Sequence, residues 1–249
     1  MRPWTGLLVF VGLSLYAAAA LAQWDPAATA SLGRGYGAIA LNQSILTGAQ
    51  LLGEKAAPAR GATAAGRSRP TGEATLTYTP DPRVTERVHT AMAEAWGQKN
   101  PALRAQMEKA FPTDAVLRNF DRFMSVYGLS SRNVADDVAM LLLVSWEIAT
   151  GGTATASQIQ GADRQIHSVF LHSSQLQAMS NAQRQEMGEH IAYQIVLGSA
   201  AKREYLRNGD QGQLTHLREL AASVLRQQGI DPRSMQLTQL GFRPRGSGP

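Results

Sequence analysis

Residues 133–151, NVADDVAMLLLVSWEIATG, decide the fold, because beyond the first 22 residues no other segment is apolar enough to be surrounded by the rest of the chain. At 100° per residue, Asn133, Asp136, Asp137, Glu147 and Thr150 share one arc of about 140°. Val134, Val138, Leu141, Leu142, Leu143, Trp146, Ile148 and Ala149 cover most of the remaining circumference. A helix of that kind needs packing partners on several sides. Asn133 and Asp136, three residues apart, form a variant of the capping box, and Asp136 and Asp137 sit on the positive end of the helix dipole. Gly151-Gly152 supplies the stop.

Working outward, one-sided apolar stripes supply the partners. Asp81-Pro82 opens a first helix carrying Val84, Val88, Ala91, Met92, Ala95 and Trp96. Asn100-Pro101 starts a shorter helix with Leu103, Met107 and Phe111. Thr113 caps a third with Val116, Leu117, Phe120, Phe123, Met124 and Tyr127, ended by Gly128. After the central helix, a stripe of Ile159, Ile166, Val169 and Phe170 predicts a helix over 156–171. The capping box Ser180-x-x-Gln183 then opens a long helix to about Arg207, in which Gly188, Ala192 and Ser199 allow close approach of a neighbour. Asp210 caps the last helix, with Leu214, Leu217, Ala221, Val224 and Leu225. Ala74 to Tyr78 reads as a short extended arm, and Met235 to Phe242 as an extended or irregular segment closing one end. The expected fold class is all-α, a single-domain bundle of about seven helices around a central hydrophobic helix at about 134–150.

Flanking segments read differently. Arg2, the apolar Leu7–Ala19 and Ala20-Leu21-Ala22 have the form of a signal peptide (1–22) cleaved after Ala22, which predicts a periplasmic or secreted bacterial protein. The apolar run is short for a spanning helix, so no stable membrane span is expected after cleavage. With no cysteine, disulfides and a lipid-modified anchor are both excluded. Residues 23–80 read as a flexible, disordered linker rich in Ala, Gly, Ser and Thr, within which Tyr36–Leu52 is amphipathic enough for a short helix. Residues 81–242 are the helical domain and 243–249 a flexible tail. The formal charge of +5 comes from the ends: residues 81–242 hold 16 Lys plus Arg against 16 Asp plus Glu. A neutral body argues against a nucleic-acid partner.

Several motifs resemble a catalogued family. Thr79-Pro80-Asp81-Pro82, Gly128-Leu129, Ala135-Asp136-Asp137-Val138-Ala139, Trp146, Gly229-Ile230-Asp231-Pro232, Leu237-Thr238 and Gly241-Phe242 together resemble exported bacterial α-helical domains of unknown function, over about residues 75–242. That resemblance implies a fold and no activity.

The sequence offers few candidates for chemistry. Glu147, beside Trp146 and between Leu143 and Ile148, is the candidate general acid, with Asp136 on the same face. Eleven residues at 1.5 Å each separate them by roughly 16 Å, too far for a glycosidase pair. Glu186 and His190, in Glu186-Met187-Gly188-Glu189-His190, match part of an inverted zinc-protease motif but lack a third ligand. Glu86-x-x-His89 has di-iron spacing but occurs once. His167 and His172, five apart, do not share a helix face. Ser145 and Ser180 lack a nucleophile context, and Gly33, Gly35 and Gly37 lack the strand of a phosphate loop. No cofactor is expected. The reading that follows is a non-enzymatic protein-interaction module of the bacterial envelope or exterior, with an unidentified protein partner there. The alternative is an envelope hydrolase of peptidoglycan type using Glu147.

Overall fold

The computed structural model describes residues 76–97 and 115–246. The expected signal peptide, the expected linker as far as residue 75, the helix expected from Asn100 and the end of the expected tail lie outside the described residues. Those described form α1 (Pro82–Gly97), α2 (Ala115–Val126), α3 (Val134–Thr150), α4 (Ala156–Leu171), the single-turn α5 (Ser174–Gln177), α6 (Asn181–Asn208) and α7 (Gln211–Gln227), then β1 (Met235–Thr238) and β2 (Gly241–Pro244). The fold is mostly helical. No helix among the described residues is long and apolar enough to cross a membrane.

The apolar segment is the central helix. α3 packs against α4, α6 and α7, while α1 and α2 lie on α6. Val134, Val138, Ala139, Leu142 and Leu143 of α3 share one core with Ile159, Ala162, Ile166 and Phe170 of α4 and with Ile191, Ala192 and Ile195 of α6. A second cluster joins Ile148 at the C-terminal end of α3 to Ala201 and Tyr205 of α6 and Leu214, Leu217 and Ala221 of α7. Gly151, at φ 74°, gives the left-handed turn that ends α3.

The caps are partly as the spacing predicts. At Ser180 the reciprocal capping box with Gln183 is present. Another, Thr155 with Gln158, opens α4. At α3 the pattern differs: the Asn133 side chain accepts from Ala135 N, but Asp136 does not return to the Asn133 amide and instead accepts from Ser130 N at 2.7 Å. The Asn133 amide is already used by the Ser130 carbonyl, so the carboxylate serves the preceding turn.

The two edges are extended. Thr77 bridges Asn133 antiparallel, with Val134 N donating to Leu76 O and Tyr78 N to Arg132 O. At the other edge, β1 and β2 form a hairpin with Leu237 opposite Phe242, both buried. It lies along α4, where Gln165 receives the Phe242 amide at 2.7 Å and Gln158 donates to Leu237 O at 2.8 Å. Gly161 permits the approach: a methyl group there would stand 2.3 Å from the Gln239 carbonyl oxygen.

Candidate functional site

The polar arc of α3 does not face water at its N-terminal half. Asn133, Asp136 and Asp137 are buried, whereas Thr150 is exposed and Glu147 half-buried. The arm and α4 close over the first turn of α3, so these groups find partners inside the protein.

Asp136 and Asp137 point to different neighbours. Asp136 Oδ1 lies 2.5 Å from His167 Nε2 on α4, and Asp163, one turn before His167, places an oxygen 3.4 Å from the same nitrogen. Asp137 faces the other way, onto Gly188 of α6 and the ring of Tyr78. It is fully buried and neither of its carboxylate oxygens has a hydrogen-bond partner. Burial pushes its carboxyl well above the ordinary carboxylate range, and the neighbouring Asp136 adds to the rise. The Tyr78 phenol is raised as well, first by burial, then by the Asp137 and Glu189 carboxylates.

Tyr78 separates this buried carboxylate from a cleft of about 560 Å³. Its walls are the arm (Tyr78, Pro80), α1 (Pro82, Thr85, Glu86, His89), α2 (Leu117, Arg118, Phe120, Asp121), the turn before α3 (Ser131, Arg132) and α6 (Glu189, Ala192). Several polar groups in the wall are bonded to one another or to its backing. Tyr78 donates to Ser131 O at 2.7 Å, the Ser131 hydroxyl to Asp121 at 2.6 Å, and the Thr85 hydroxyl to Glu189 at 2.7 Å. His89 Nε2 and the Tyr193 hydroxyl share a 2.6 Å hydrogen bond. Behind the wall, fully buried Gln185 joins Asp81, Thr85 and Glu189, fastening the start of α1 to α6.

The residues singled out from the sequence fall in several places. The Glu147 carboxylate accepts from Ala154 N at 2.7 Å and so braces the turn after α3. Asp136 belongs to the His167 cluster at the opposite end of that helix. His190 donates from Nδ1 to the Glu186 carbonyl at 2.7 Å within α6. Among the described residues, the metal-capable group of three is Asp136, Asp163 and His167, so no third donor reaches Glu186 and His190. Glu86 and His89 both line the cleft. His172 caps its own helix through Ser168 O, away from His167. Ser145 is buried in α3, and Ser180 is the cap of α6.

Sequence reasoning named Glu189 only within the partial zinc-protease motif and missed Gln185, Arg132 and Asp163. Local signals existed in two i,i+4 spacings, Asp163 to His167 and Gln185 to Glu189. Glu189 meets Thr85 across 104 residues, and no periodicity reports such a meeting.

Comparison with known proteins gives one match. A family model described as "Family of unknown function (DUF6683)" covers residues 13–245, extending the resemblance read over 75–242 toward the N-terminus. No curated protein and no solved structure matches the chain.

Proposed function

The chain belongs to the family of unknown function DUF6683, and since membership there brings no activity with it, we propose from the cleft that it is a non-enzymatic protein-interaction module of the bacterial envelope or exterior. One observation carries this reading: the cleft presents both signs of charge beside apolar surface. Arg118 and Arg132 stand with Glu86, Asp121 and Glu189 around Leu117, Phe120, Pro80 and Pro82. Asp121 and Glu189 each hold a neighbouring hydroxyl, which fixes their geometry as parts of the wall. Such a preformed, mixed surface suits an extended segment of a partner protein. Export rests on the form of residues 1–22, and predicts a mature chain beginning at Gln23.

The hydrolase reading has less support, because the Glu147 carboxylate is engaged by Ala154 N and Asp136 lies in a separate cluster. The test is site-specific photo-crosslinking from position 118 in the native host, with N-terminal sequencing of the exported protein. A discrete protein adduct that Arg132→Glu abolishes is expected. Equal crosslinking in wild type and Arg132→Glu would remove the cleft as the binding site.

A further inference from the structure

We propose that Asp136, Asp163 and His167 form a three-ligand site for a first-row divalent cation of the zinc type, clamping α3 to α4. The site is distinct from the cleft and does not depend on the reading given for it.

Convergence on one atom carries the argument. An imidazole nitrogen bears at most one hydrogen. His167 Nε2 faces two carboxylate oxygens from different helices, Asp136 Oδ1 at 2.5 Å and Asp163 Oδ1 at 3.4 Å. A cation in place of that proton satisfies all three donors together. Asp163 and His167 are one turn apart on α4 and so share a face, and Asp136 is brought to them by the packing of α3 on α4. The orientation of Asp136 is fixed independently: its Oδ2 accepts from Ser130 N at 2.7 Å, leaving Oδ1 toward the centre.

The dimensions fit. The three donor atoms lie within 4.8 Å of one another. Around a tetrahedral ion with bonds of about 2.0 to 2.2 Å, donors stand roughly 3.3 Å apart, so entry requires the His167–Asp136 contact to open by about 0.8 Å. One imidazole with two carboxylates favours zinc and its neighbours over calcium or magnesium, which prefer all-oxygen shells. Side-chain exposures of 7% for Asp136, 13% for His167 and 17% for Asp163 put the group just beneath the surface, where side-chain movement admits an ion.

The test uses the purified full chain, stripped with chelator and titrated with ZnCl₂, counting retained metal by mass spectrometry and following thermal unfolding by circular dichroism. Expected are one Zn²⁺ per chain after dialysis and a rise in Tm on binding. His167→Ala and Asp163→Asn should each weaken binding at least about tenfold, while His190→Ala leaves it unchanged. No retained zinc in the wild type, or undiminished binding in both ligand variants, overturns the proposal. Should either variant fail to fold, the ring-nitrogen resonances of His167 in the wild-type chain decide: they shift on one equivalent of Zn²⁺, and an absence of shift overturns it equally.

Discussion

Asp137 lies against Gly188: a methyl group added at the glycine would stand 2.6 Å from Oδ2 of Asp137 and 2.8 Å from the Tyr78 hydroxyl oxygen. A buried acid on the central helix, the arm and α6 therefore meet at one point where only hydrogen fits. Gly188→Ala should force Asp137 and Tyr78 apart and cost about 1 to 3 kcal/mol of stability. Urea unfolding of the two proteins measures this, and an unchanged midpoint would show that the contact relaxes freely.

The same carboxylate makes stability depend on pH. The Asp137 carboxyl is raised well above its ordinary value in the folded protein by burial and then by Asp136. Its favourable contribution is complete below the unfolded value of about 3.9 and is lost as pH rises from there through the folded-state value. Asp137→Asn, which carries no charge, should thus match or trail the wild type near pH 4 and exceed it at pH 8 by about 1 kcal/mol or more. Denaturant melts at the two pH values test this, and a wild type that gains on the variant as pH rises would refute it.

Gly161 lets the hairpin sit on α4. Added carbon there would meet the Gln239 carbonyl oxygen at 2.3 Å and the Gly241 nitrogen at 2.8 Å, both backbone atoms that cannot rotate away. Gly161→Ala should lift the hairpin and release the Gln165 hydrogen bonds to Phe242 N and O, destabilising the protein by about 3 kcal/mol. Hydrogen exchange at the Phe242 amide should accelerate far more than at amides in the middle of α6. Uniform protection in the variant would contradict the prediction.

Glu147 gives a separable pair of variants. Glu147→Ala removes the acceptor for Ala154 N and should cost about 1 kcal/mol, whereas Glu147→Gln keeps an oxygen there and should be close to neutral. With Glu147 as a brace, the Gln variant also leaves the phenotype of the host intact. A Gln variant that folds normally and loses function in the host would restore the case for an acid at this position.

Among the described residues, the sequence by itself determined the long helices and their centre. An apolar run too broad for one partner had to be surrounded, and local chemistry marked the ends at Asn133, Gly151, Ser180 and Asp210, because caps are satisfied by residues within one turn. The arm was legible, although nothing in its pattern says that it pairs with Asn133. The polar arc of α3 was legible as a stripe, but its solvation was not. A period of 3.6 residues sorts side chains onto faces and leaves open what covers each face. Only the tertiary structure turned Asp136 toward His167 and Asp137 toward Gly188, and brought Glu189 to Thr85, forming the cleft wall. Those meetings span 31 to 104 residues, and they follow from which helices pack together, a property of the whole chain that no local spacing contains.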